Sequence, residues 1–135
     1  MLKDKKIFIV EDDTMNRVVY TMILKKVGAI IEFDRIGRDT VQKLSQTKYD
    51  LIILDLMLPR GDSGFSIFEQ IRRIEDYKPV PIVAISASEP TQAIQRAQEL
   101  GFDGFIAKPL DKDLFPKQLD DLLEGKKVWY AGMKY

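Results

Sequence analysis

The 135 residues balance 21 Lys and Arg against 21 Asp and Glu, so no net field draws the chain toward nucleic acid. Cys and His are both absent, which excludes disulfides, thiolate nucleophiles, zinc–sulfur sites, imidazole general bases and most transition-metal sites. The length suits one domain, and no apolar run approaches the ~20 residues of a membrane span or the layout of a signal peptide, so a cytoplasmic protein without membrane contact is expected.

Residues 7–10, Ile-Phe-Ile-Val, read as a buried strand and end on Glu11-Asp12-Asp13. Asp13 or Thr14 then caps a helix over 15–27, in which Met15, Val19, Met22 and Ile23 share a face and Gly28 supplies the stop. A strand over 30–33 and a helix over 39–46 follow. The apolar run 51–54 closes on Asp55, with Pro59 four residues later. A helix over 65–74 leads to a strand over 80–85, which Ser86 follows. A helix over 91–100 and a strand over 104–107 precede Lys108-Pro109, and a last helix runs to about Leu123. Pro116 lies near that helix's start, so its first turn is expected later than Asp111. The basic, aromatic segment 125–135 is expected to fray, with an arm packing on this or another chain as the alternative.

Strands alternating with helices predict right-handed βαβ units and a parallel sheet covered on both faces. Ligands of such sheets bind beyond the carboxyl ends of the strands. Glu11, Asp12, Asp55, Ser86 and Lys108 all fall there. Carboxylates crowded into one crevice repel each other and resist ionising, and a hard cation such as Mg²⁺ relieves that conflict through oxygen ligands.

The ordered set Glu11-Asp12, Asp55, Ser86-Ala87 and Lys108-Pro109 resembles the receiver (CheY-like) domain of bacterial two-component response regulators, over about residues 4–124. The resemblance implies an α/β, doubly wound (βα)5 flavodoxin-like sheet of order 2-1-3-4-5, with a receiver domain at 1–124 and a tail at 125–135. It makes Asp55 the phosphoacceptor, a carboxylate nucleophile that becomes an aspartyl phosphate. Asp12 ligates Mg²⁺ directly, Glu11 holds it through water, Asp55 is a further ligand, and the Met57 carbonyl completes the protein set. Lys108 pairs with Asp55 at rest and with a phosphoryl oxygen afterwards, and Ser86 donates to another. Phe105 matches the switch aromatic, and Lys108–Pro109 the cis-proline that aims the lysine inward. The implied partners are a histidine kinase or histidine phosphotransfer protein, which must supply the histidine, and an output protein. The implied state is a monomer or weak homodimer pairing through the fourth helix, fifth strand and fifth helix.

The chain departs from the family pattern in two places within the receiver span. The loop Pro59-Arg60-Gly61-Asp62-Ser63-Gly64 is one residue longer than usual, and Phe105 lacks the hydroxyl of many relatives. Met57 and Ser88 flank the path of a hydrolytic water, and Met57 cannot orient one, so a long-lived aspartyl phosphate is expected. With little chain after residue 124, a stand-alone signalling protein that is not an enzyme is expected. The alternatives are a non-phosphorylated interaction module on the same fold and a Mg²⁺-dependent phosphatase. The phosphatase needs Asp where Glu11 stands.

Overall fold

The computed structural model describes residues 2–35, 39–56, 64–87 and 89–132. In chain order the elements are β1 (Lys6–Val10), α1 (Thr14–Lys26), β2 (Ile30–Asp34), α2 (Thr40–Gln46), β3 (Leu51–Asp55), α3 (Gly64–Arg72), β4 (Ile82–Ser86), α4 (Pro90–Leu100), β5 (Gly104–Ala107), α5 (Leu114–Leu123) and β6 (Val128–Tyr130). The strands form one parallel sheet of order β2-β1-β3-β4-β5-β6. The expected order is thus present, extended by one strand. Among the described residues no helix is long and apolar enough to cross a membrane.

Alternation along the strands builds two cores. Phe8, Val10, Ile52, Leu54, Ala84 and Phe105 face α2, α3 and α4. Ile7, Ile9, Ile53, Ile85 and Ile106 face α1 and α5, where Tyr20, Leu24, Phe115, Leu119 and Leu122 meet them. Every residue of β3 and β4 is buried, which is why both read as unbroken apolar runs. The helix α5 begins at Leu114, later than Asp111 as expected, and Pro116 sits in its first turn, where a missing N–H costs nothing. Asp111 caps that turn by accepting from the N–H groups of Asp113 and Leu114.

Four expectations are corrected. The first concerns the tail, because residues 128–130 do not fray but pack on this chain as an arm, the alternative reading. Val128, Trp129 and Tyr130 pair with Gly104, Phe105 and Ile106. These residues favour strands, and the β5 edge offers them unpaired backbone groups. Lys127 anchors the entry through an ion pair of 2.6 Å to Asp103. The second concerns α1, whose apolar stripe of Met15, Val19, Met22 and Ile23 meets the core only through Ile23. Met15 and Met22 are each 69% exposed and Val19 is 39%, while Tyr20 and Leu24 are buried. Tyr20, packed against Phe33 and Phe115, fixes the helix rotation. Both faces carry a helical period, so spacing alone does not choose between them.

The third is that α3 ends at Arg72 rather than residue 74 and is followed by a 3-10 turn, Glu75–Tyr77. The fourth is that β4 starts at Ile82 rather than residue 80, because Pro81 has no N–H to give the ladder and the Val80 carbonyl accepts from Arg72.

Candidate functional site

The carboxyl ends of β1, β3 and β4 and the loop after β5 meet at one mouth. The two acidic strand ends come level because Val10 pairs with Leu54 in the sheet. Glu11 follows the one strand, and Asp55 is the last residue of the other. Both carboxylates are buried, at 1% and 3% exposure. Lys108 reaches into the gap from beyond β5, with Nζ 3.3 Å from Glu11 Oε1 and 3.2 Å from Asp55 Oδ2. The Lys108–Pro109 peptide bond is cis, as the resemblance implies. Ser86, fully buried at the end of β4, accepts the Lys108 N–H at its carbonyl, 2.9 Å away.

The electrostatics follow from two acids sharing one ammonium. Burial, and then a hydrogen bond to the Asp55 carboxyl, push Glu11 up from 4.5 to about 7, while Lys108 and the Asp13 N–H pull the other way. The other Glu11 oxygen, Oε2, accepts that N–H at 3.2 Å. Asp13 itself is the helix cap, since its Oδ1 accepts from the N–H groups of Met15 at 2.7 Å and Asn16 at 3.1 Å. The third acidic residue of the run is thereby assigned to structure.

Gly64, at the start of α3, allows close approach to the site. A Cβ there would lie 2.7 Å from the Asp55 carbonyl oxygen and 2.8 Å from Leu56 Cδ2. The absent side chain lets α3 begin directly against the strand end that carries Asp55.

Of the sequence-predicted site residues, Glu11, Asp55 and Lys108 are in contact, and Ser86 stands at the same strand ends. Asp12 is half-buried beside them. Phe105 is fully buried in the α4-side core, level with Trp129 of β6. Met57, Ser88 and the loop 57–63 lie outside the described residues. Sequence reasoning missed Tyr20, whose buried ring reaches the site from α1. Its spacing of four from Leu24 was the available signal.

The donors fit a hard cation. Glu11 and Asp55 bring buried carboxyl oxygens together with a single ammonium as counter-charge, and Mg²⁺ takes oxygen ligands of this kind. Among the described residues no three His, Cys, Asp or Glu side chains already form an ion-holding group.

A family model, the response regulator receiver domain, matches residues 7–120. Hybrid signal transduction histidine kinase A of Dictyostelium discoideum is 33% identical over 110 residues, which is 78% of this chain and 5% of that protein. The chain spans between 5% and 12% of the first three curated relatives. Among solved structures, the signal receiver domain of a signal transduction histidine kinase from Syntrophus aciditrophicus is 30% identical, with a TM-score of 0.79, covering 90% of this chain and 91% of that one. The receiver domain of sensor histidine kinase PA1611 from Pseudomonas aeruginosa PAO1, solved with a magnesium ion coordinated in its active site cleft, is 26% identical, with a TM-score of 0.80 and coverage of 90% and 98%. The sheet order, the mouth at its carboxyl ends and the match across 7–120 agree, and this chain belongs to the response regulator receiver domain family.

Proposed function

We propose that the chain accepts a phosphoryl group on Asp55 from a histidine of a partner protein and signals by protein contact. The observation that carries this reading is Lys108 Nζ held between the buried carboxylates of Asp55 and Glu11. A lysine buried there only to neutralise charge would need one acid, whereas two acids and one ammonium make a site short of positive charge.

In the transfer, an Asp55 carboxylate oxygen forms the bond to phosphorus as the phosphorus–nitrogen bond to the partner's histidine breaks. The electron pair of that bond leaves on the imidazole nitrogen, and the ring departs neutral because its other nitrogen carries a proton. Lys108 follows the developing charge from the Asp55 carboxylate to a phosphoryl oxygen, a shift its flexible stem permits. The Ser86 hydroxyl donates to a second phosphoryl oxygen. Asp12, Asp55 and Glu11 would hold Mg²⁺, with the Met57 carbonyl by resemblance. When bound, the ion neutralises the carboxylates and the phosphoryl oxygens. Movement of Ser86 toward the phosphoryl group frees space that Phe105 can enter, which passes the change toward α4 and β6.

The donor histidine lies outside these 135 residues, on a kinase or a phosphotransfer module. The relatives that are hybrid histidine kinases support that pairing. The exposed apolar side of α1, bearing Met15 and Met22, supports contact with a partner beside the mouth. The module itself is a signalling domain, and the only chemistry proposed for it is the making and loss of its own acyl phosphate.

Incubation with acetyl phosphate tests the reading by intact mass. The protein should gain one phosphoryl group with Mg²⁺ present, and Asp55→Asn should gain none. Equal labelling of the variant would sink the assignment.

A further inference from the structure

Tyr20 carries a polar atom that the described residues leave without a partner. Its ring is explained by packing, since it is 1% exposed and lies 5.9 Å from Phe115 and 6.5 Å from Phe33 between centroids. Its hydroxyl is not. The oxygen is buried and has no hydrogen-bond partner among the described residues. Such a group is a standing penalty on the fold and calls for an account. The side chain lines a cavity of about 450 Å³ together with Asn16, Ala87, Lys108 and Pro109. Burial, then the charges of Glu11 and Asp55, hold its pKa well above the ordinary 10. Tyr20 therefore keeps its proton and is a donor, in a cavity it shares with Lys108.

In the resting site both oxygens of Glu11 are taken. Oε1 accepts from Lys108 Nζ at 3.3 Å and Oε2 from the Asp13 N–H at 3.2 Å. The same Lys108 Nζ holds Asp55 Oδ2 at 3.2 Å. One ammonium thus serves two acids and cannot keep both once a phosphoryl group arrives. When Lys108 moves to the phosphoryl oxygen, Glu11 Oε1 loses its donor inside a buried site, where an unpaired carboxylate oxygen is costly. Tyr20, which lines the same cavity as Lys108, has a buried proton uncommitted.

We infer that Tyr20 is a positioning residue of the phosphorylated state, whose hydroxyl donates to Glu11 when Lys108 leaves that carboxylate for the phosphoryl group. The inference rests on the phosphoacceptor reading of Asp55. It assigns the unpaired hydroxyl a partner in one state and none in the other, so the bond favours the phosphorylated form. The contribution is a stabilisation of the loaded site relative to the resting one, made by a residue that touches neither phosphorus nor nucleophile.

Tyr20→Phe keeps the ring and removes only the hydroxyl. Three measurements separate positioning from packing. The melting temperature of the Mg²⁺-free variant should be equal to or above that of the wild type, because an unpaired buried hydroxyl is lost. Affinity for beryllofluoride, which mimics the phosphoryl group, should fall about fivefold in the presence of Mg²⁺, the worth of one ordinary hydrogen bond. Affinity for Mg²⁺ alone should stay within about twofold, since Lys108 still serves Glu11. In a Lys108→Ala background Glu11 has no ammonium at rest, so adding Tyr20→Phe should then weaken Mg²⁺ binding as well. A melting temperature lowered by several degrees would show that the hydroxyl is already bonded at rest and would overturn the inference. So would unchanged beryllofluoride affinity, or equal effects of Tyr20→Phe with and without Lys108. Failure of the wild type to bind beryllofluoride would instead overturn the phosphoacceptor reading and this inference with it.

Discussion

At the mouth of β1 and β3, two carboxylates lie buried against one ammonium. At the opposite margin, β6 lies along β5 with Trp129 level with Phe105. The mouth keeps charge in a place where charge is expensive, and it pushes Glu11 up to about 7 as a result. The edge keeps apolar rings and backbone pairs together, with ion pairs of Lys126 to Asp121 and Glu124 and of Lys127 to Asp103 at its entry. The first region is left in electrostatic conflict, and the second is satisfied as it stands. Phe105 lies between them, buried in the core and paired to the outer strand. A change at the mouth must therefore pass through a well-packed edge to reach the surface on that side.

If the mouth is the conflicted region, pH should reveal it first. Glu11 has a raised value in the folded protein, so the stability it brings is fully present below its unfolded value near 4.5 and is lost as the pH rises through about 7. Metal-free protein should therefore lose denaturation midpoint between pH 5 and pH 8, and Glu11→Gln should flatten the trend. Added Mg²⁺ should restore most of the loss at pH 8, where the carboxylate is charged and can bind the ion. A midpoint that climbs over this range in wild type and variant alike would remove the conflict from the account.

The edge should break through packing instead. A Cβ at Gly104 would stand 2.7 Å from the Val128 carbonyl oxygen and 3.3 Å from Leu122 Cδ2. Gly104→Val should displace β6 and cost about 1–3 kcal/mol, as overpacked sites do. Trp129 is the chain's only tryptophan, so a red shift of its emission reports the displacement directly. Unchanged emission and stability would mean that β6 does not depend on the close approach.

The smallest effect separates two neighbours at the mouth. Asp13→Ala removes the α1 cap and should cost about 1 kcal/mol while leaving Mg²⁺ affinity nearly unchanged. Asp12→Ala should do the reverse, abolishing Mg²⁺ binding with little loss of stability. Titration of Mg²⁺ against amide NMR shifts, with a urea melt of each variant, reads both. Loss of the metal by Asp13→Ala alone would move the register by one residue.

The two regions also differ in how far the sequence reveals them. Glu11, Asp55 and Lys108 are legible because each is a polar residue ending an apolar run, and strand ends gather in a parallel sheet. The core strands are legible because burial on both faces leaves no polar interruption. Residues 128–130 are not legible as a strand, because a three-residue strand exists only through the β5 edge it pairs with. The rotation of α1 is hidden for a similar reason. Met15, Val19 and Met22 form as regular a stripe as Tyr20 and Leu24, and only the rings of Phe33 and Phe115 decide which side turns inward. The unpaired Tyr20 hydroxyl cannot be read from spacing at all, since it depends on what surrounds one atom.

The central claim is that Asp55, and no other carboxylate at the mouth, carries the phosphoryl group. Borohydride reduces an acyl phosphate to the alcohol, which leaves homoserine where a phosphorylated aspartate stood. Reduction after acetyl phosphate treatment with Mg²⁺, followed by peptide mapping, should find homoserine at position 55 alone. Homoserine at position 12, the reduced alcohol of glutamate at position 11, or no reduced residue in protein that has gained phosphoryl mass would contradict the account.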